Sequence, residues 1–190
     1  MKIINCFFCG AVAASFALVI EIAISAIVPE KYDIQTVIFS ISFFSVILIL
    51  VEEITKFAVM FKLILKKDPK ASILLKSFFF GLGFSFFEIF LNLSKFGFSS
   101  IGYSLLSFLS GIFLFHMLTS CYIGYFIAIS RNFRKVIFAP IVAFMAFLHL
   151  AYNLAIIHNI PFFIIYSLLF ILIVMLFVRY IALDLAKYEN

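Results

Sequence analysis

The sequence predicts an all-α membrane protein, a polytopic bundle of about six transmembrane helices with both termini cytoplasmic. Three observations predict it. Of the 190 residues, 66% are hydrophobic and only 12% charged, too little polar surface for a domain dispersed in water. The apolar residues recur along the whole chain in runs of about 20 or more, the length that crosses a bilayer. The charges collect in the short connections between the runs, where Lys and Arg set orientation.

Six runs qualify, over 4–28, 34–61, 72–93, 101–129, 136–157 and 161–183. Backbone groups in lipid must bond within their own segment, so each run is read as a helix. The first lacks a small-residue cleavage site and is read as a retained helix rather than a signal peptide. Pro29, Glu30, Lys31 and Asp33 end it. Lys66, Lys67, Asp68, Pro69 and Lys70 end the second, Lys95 and Gly97 the third, and Arg131, Arg134 and Lys135 the fourth. His158, Asn159 and Pro161 make the fifth connection.

Lys62, Lys66, Lys67, Lys70 and Lys76 gather at one junction, and Arg131, Arg134 and Lys135 at another an even number of crossings away. Both junctions are therefore assigned to the cytoplasm, together with Lys2, Arg179 and Lys187. Only Lys31 and Lys95 fall outside. The net charge of +5 belongs to these loops and implies no nucleic-acid partner. Residues 1–190 read as one integral-membrane domain. Cys6 and Cys9 form a lone CxxC without a second pair to complete a metal site, so they read as small apolar side chains.

The informative residues are the ionisable ones inside the runs. Each costs roughly 2.5–3.5 kcal/mol at the centre of a membrane helix and so calls for a partner or a purpose. The second run carries Val51-Glu52-Glu53-Ile54-Thr55-Lys56-Phe57. Glu52 is four residues and Glu53 three from Lys56, so either carboxylate can meet the ammonium. Adjacent residues point about 100° apart on a helix, which leaves the second carboxylate free to face a site. A plainer reading is a salt bridge that neutralises a helix end.

The third run carries Gly81-Leu82-Gly83-Phe84-Ser85-Phe86-Phe87-Glu88, with Asn92 one turn on. The glycines permit close helix approach. Glu88 needs a partner, and a Glu88–Asn92 pair is the plain one. The fourth run has His116, with Thr119, Ser120 and Gly124 continuing its face. The fifth has His149 and Asn153 four apart on one face. Glu21, in the first run, reads equally as structural or pore-facing. His158 lies beside a loop and reads as solvated.

Carboxylates with imidazoles in a membrane interior suit hydrolysis, in which a Glu aided by a His activates water. They also suit ion or proton transport. No GxSxG, Ser–Lys, HExxH or HxxEH signature is present. A metal can be held by His116, His149 and a glutamate such as Glu88, with an open position left over. Three classes stay open on the residues alone: an intramembrane endopeptidase, a small ion- or proton-coupled transporter subunit, and a non-catalytic membrane scaffold.

The order of these motifs resembles the PrsW family of intramembrane proteases, distant relatives of the CAAX prenyl endopeptidases. The matching elements are Glu52-Glu53-Ile54-Thr55-Lys56, the Gly81-to-Glu88 stretch, His116 with Gly124, and His149 with Asn153, over about 51–153. Two positions depart. Ile89 follows Glu88 where the family often has Asn, and Phe57 stands where the CAAX-type EExxxR has Arg.

The resemblance implies a glutamic-type peptidase in the bacterial plasma membrane, with no obligatory cofactor although zinc can take part. Its substrates would be membrane-anchored proteins, anti-sigma factors among them. Glu53 would be the general base, with Glu52 supporting or exchanging roles, and Lys56 would orient the pair. Glu88 and His116 would position the water, while His149 and Asn153 would polarise the scissile carbonyl and hold the oxyanion.

Overall fold

A computed structural model describes residues 2–27, 35–36, 41–63, 70–96, 103–129 and 138–157. Five helices stand among them: α1 (Ile3–Ile27), α2 (Phe43–Leu63), α3 (Lys70–Phe96), α4 (Tyr103–Ile129) and α5 (Phe138–Ile157). The expected sixth run, 161–183, and the charged connections that set the expected orientation lie outside the described residues.

The helix boundaries fall within three residues of the sequence expectation except at the second run. There the helix starts at Phe43, and Gln35–Thr36 (β1) pairs antiparallel with Ile41–Ser42 (β2). Thr36, Ile41 and Ser42 are β-branched or backbone-competing residues that favour extended chain over helix. The 21 residues left in α2 still rise about 31 Å, the thickness of a bilayer core. A second correction concerns Lys76, counted in sequence among the loop charges. It lies inside α3 and is only 7% exposed.

Among the described residues, two helical stretches are both long and apolar enough to cross a membrane, Ile3–Ile27 and Ser72–Ser94. α1 shows what solvent it was built for. Its small residues Cys6, Gly10, Ala13, Ala14 and Ala17 face inward, while Phe8, Val12, Phe16, Val19 and Ile22 face outward. A water-soluble helix would do the reverse. In lipid the outer face costs nothing, and small inner residues let backbones approach.

α3 is the central element, packed mainly against α1 and α4, while α2 packs against α1 and α5. The approaches are glycine-mediated. A Cβ on Gly10 would collide with the Phe80 carbonyl, and one on Gly83 with the Phe7 carbonyl. On the other side of α3, a Cβ on Gly81 would come within 2.5 Å of the His116 carbonyl oxygen, and one on Gly124 would strike the Ser77 hydroxyl.

These registers fix direction. Residues 7–10 of α1 meet 80–84 of α3, and residues 14–21 line one cleft with 84–91, so the two are parallel; α3 and α4 meet with opposed numbering, Gly81 at His116 and Ser77 at Gly124. On α2 and α5, Glu53 meets His149 while Phe57 meets Phe138 edge-on at 4.7 Å, again antiparallel. The chain therefore alternates up and down.

Because the obstruction at Gly10 is backbone, the chain can yield only by separating α1 from α3. Gly10→Val is expected to destabilise by about 1–3 kcal/mol or more, as overpacking does. Phe16→Ala, on the outer face of the same helix, should leave the thermal midpoint in detergent unchanged. The comparison is read by thermal unfolding of the two purified variants.

Candidate active site

α2 brings the acids in. Glu53 and Lys56 lie one turn apart on its inner face, and both side chains are fully buried. Lys56 Nζ donates to Glu53 Oε1 at 2.6 Å, and its ammonium also lies 4.7 Å from the Phe84 ring centroid of α3, a cation–π contact. The same Glu53 oxygen is 2.9 Å from His149 Nδ1 of α5. Glu53 is thus bound from its own helix and from the helix opposite.

α3 and α4 make a second pair of the same kind. Glu88 Oε2 lies against His116 Nε2 in direct contact. Asn92 does not reach the Glu88 carboxylate; its Nδ2 donates to the Glu88 backbone carbonyl at 3.0 Å, which leaves the carboxylate to His116. Thr119 Oγ1 donates to the His116 carbonyl at 3.3 Å, and Gly81 abuts that same carbonyl. His116 is therefore held at a fixed depth from both sides.

The two pairs are joined. The His116 and His149 rings stand 5.4 Å apart, 79° to one another. An ionised carboxylate only accepts hydrogen bonds, so the nitrogens facing Glu53 and Glu88 carry the ring protons. In the neutral imidazoles, the other nitrogen of each ring then holds a lone pair. His116 Nδ1 is buried and hydrogen-bonds no described residue.

Glu52 differs from its neighbour. Its side chain is 19% exposed, with Oε2 3.9 Å from His149 Nδ1, and that buried oxygen has no hydrogen bond among the described residues. It borders a cleft between α1, α2 and α3, partly open to the surroundings. A few waters fit there. Glu21, Glu52 and Glu88 supply an acid from each of the three helices, between the small Ala14 and Ala17 and the rings of Phe84 and Phe87.

All four sequence motifs meet, with changes of detail. Glu53 is wholly buried and Glu52 faces the cleft. Glu21, ambiguous in sequence, also lines the cleft. Asn153 is half-buried on α5, and among the described residues no hydrogen bond ties it to the cluster. Phe84, Phe115 and Tyr152 were not singled out in sequence, yet their rings pack on or near the imidazoles. The spacing could have flagged two of them, since Phe84 precedes Glu88 by four residues and Tyr152 follows His149 by three. His158 lies outside the described residues.

The donor set fits a divalent metal. One ligand atom from each of Glu52, His116 and His149 lies within 4.8 Å of the others. Zinc–nitrogen bonds of about 2.0–2.1 Å place tetrahedral ligands about 3.3 Å apart, so the side chains would draw in by about 1 Å. The carboxylates of Glu53 and Glu88 behind the imidazoles match the outer-shell partners that metal-binding histidines use. The acid in the triad is Glu52 rather than the expected Glu88, because Glu88 is committed to His116.

Removing Lys56 would leave a buried carboxylate short of its cation. Lys56→Met is expected to destabilise by about 3–5 kcal/mol, and Lys56→Met combined with Glu53→Gln by less than the sum of the single changes. A double-mutant cycle of unfolding in detergent measures the coupling.

No curated protein and no solved structure matches the chain. A family model described as PrsW family intramembrane metalloprotease matches residues 2–180. The description carries the peptidase reading but says metalloprotease, so the glutamic-type designation draws no support from it. A match over nearly the whole chain means that the chain belongs to the PrsW family of intramembrane proteases.

Proposed function

We propose that the chain is a multi-pass endopeptidase of the cell membrane that hydrolyses a peptide bond in or near the transmembrane segment of a membrane-anchored protein, with a glutamate accepting the proton of the attacking water. The observation that carries this reading is the convergence of Glu52, Glu53, Glu88, His116 and His149, from four helices, beside a cleft with room for water. A transporter needs polar groups spaced along a path; here they gather in one cluster.

Glu52 is the residue for the proton. Both Lys56 and His149 bond Glu53 on one oxygen in a space closed to solvent, so Glu53 acts by fixing the His149 ring and its tautomer. Glu88 does the same for His116. Glu53 too has an oxygen without a hydrogen bond, but it is shut off from solvent; Glu52 borders the cleft and, unlike Glu88, has no imidazole in hydrogen-bond contact. It takes a proton from water and returns it to the leaving amide nitrogen, keeping the charge inside the cluster.

Glu52, His116 and His149 would hold a divalent ion such as zinc, which when bound supplies a Lewis acid for the scissile carbonyl and lowers the pKa of a coordinated water. A carboxylate that spends one oxygen on a ligand bond keeps the other for a proton. The substrate segment must unwind near the cleft, since a helical carbonyl is tied to an amide four residues on. Membrane-anchored regulators such as anti-sigma factors fit as substrates because their segments are single helices.

In proteoliposomes with a single-pass reporter substrate, Glu52→Gln is expected to lower kcat by about a hundredfold to ten-thousandfold, the range of a lost general base. The variant should retain the wild-type thermal midpoint. Cleavage by Glu52→Gln at the wild-type rate would refute the assignment. Chelation by 1,10-phenanthroline is expected to abolish cleavage, and added zinc to restore it.

A further inference from the structure

The two imidazoles come from helices that pack poorly on each other. α4 lies chiefly on α3, and α5 chiefly on α2, with only a narrow contact between α4 and α5. Even so, the rings of His116 and His149 are 5.4 Å apart. A paired helix surface does not set that spacing.

Phe115 sits beside His116 on α4 and is nearly buried. Its ring stacks on Tyr152 at 4.7 Å and 18° and lies against His149 at 4.9 Å and 50°. His149 and Tyr152 are three residues apart, on one face of α5. A single turn of α5 therefore grips the α4 ring that adjoins the other imidazole. An aromatic ring has few rotamers and fits this grip in one orientation.

We propose that the Phe115–Tyr152 stack is the device that sets the spacing of the two imidazoles, with Tyr152 a positioning residue acting through Phe115. The inference rests on the peptidase reading for its effect on rate, though not for its effect on ring geometry. The stacked ring carries the role and the hydroxyl does not. Loss of the stack lets α5 shift against α4, and misplacement of reacting groups by 1 Å can cost about a hundredfold in rate.

The test compares Tyr152→Phe, which keeps the stacked ring, with Tyr152→Leu, which removes it. Phe115→Leu removes the same stack from the other helix, so the result does not hang on one variant folding. Three quantities are read: kcat and KM for a single-pass reporter in proteoliposomes, the ¹⁵N imidazole resonances of His116 and His149 in detergent, and zinc affinity by equilibrium dialysis.

Tyr152→Phe is expected to match the wild type in all three. Tyr152→Leu and Phe115→Leu are expected to lower kcat by about tenfold to a hundredfold with KM nearly unchanged. They should also shift or broaden both imidazole resonances and weaken zinc binding by about tenfold to a hundredfold. Unchanged resonances and zinc affinity in a folded leucine variant would overturn the proposal. So would a Tyr152→Phe variant as impaired as Tyr152→Leu, which would move the role to the hydroxyl. A wild-type protein that cleaves no reporter would sink the peptidase reading, and the resonances and zinc affinity would still decide the spacing role.

Discussion

Glu53 and Lys56 are charged side chains with no exposed surface, inside a bundle whose outer face is Phe, Val and Ile. Each such group, left alone, costs several kcal/mol. The pair within α2 offsets the charge but leaves hydrogen-bonding capacity unmet, and His149 on α5 supplies a further partner. α5 therefore docks where His149 reaches Glu53. The contact between His116 and Glu88 places α4 on α3 in the same way. Helices in lipid gain no hydrophobic drive from touching one another, so register comes from polar bonds and close-packed small residues. The groups assigned to the chemistry are for this reason also the groups that specify the packing.

The cleft follows from the same division of labour. α1 and α3 run parallel and are drawn together where Gly10 and Gly83 meet the opposing backbone. Further along, α1 offers the cleft Ala14, Ala17 and Leu18 and then the acid Glu21. The distance from Gly10 to Ala17 is about 10 Å along the axis. Over that length the contact changes from backbone against backbone to Ala14 and Ala17 facing Phe84, Phe87 and Glu88 across open space. Close approach at one end and small residues at the other leave a space beside Glu52. A larger residue at Ala17 would fill it.

Much of this was legible in the sequence because the residues concerned are improbable in lipid. Glu52, Glu53, Lys56, Glu88, His116 and His149 announce themselves as ionisable groups in apolar runs, and helical spacing offers Lys56 either adjacent carboxylate as a partner. Spacing along one helix cannot say which adjacent carboxylate turns inward. That depends on where α5 lies, a contact 96 residues distant in sequence. The same limit applies to Asn153, which shares the His149 face by periodicity yet bonds nothing in the cluster. Phe84, Phe115 and Tyr152 were hidden for a different reason. In a chain with 29 phenylalanines and eight tyrosines, spacing from Glu88 and His149 marks Phe84 and Tyr152 only as two aromatics among many, and Phe115 stands out only when its ring is seen against an imidazole. The β1–β2 pair was masked by composition too, since Ile and Val suit both a membrane helix and a strand.

Charge counting links the packing to the chemistry. With Glu52, Glu53 and Glu88 ionised and Lys56 protonated, the cluster carries three negative charges against one positive, and Glu21 adds a further acid on the cleft wall. An apolar interior does not tolerate a net charge of that size without compensation. Two protons would supply it, or one divalent cation. These solutions are not equivalent for the reaction. Glu53 is engaged by Lys56 and His149, and Glu88 by His116, which leaves Glu52 as the carboxylate on the cleft without such a partner. On the proposed reading Glu52 takes a proton from water, which a protonated carboxyl cannot do. A divalent ion among Glu52, His116 and His149 would balance the charge and leave a carboxylate oxygen available. The proposed chemistry is therefore the one that a bound metal would serve, in agreement with the family's description as a metalloprotease.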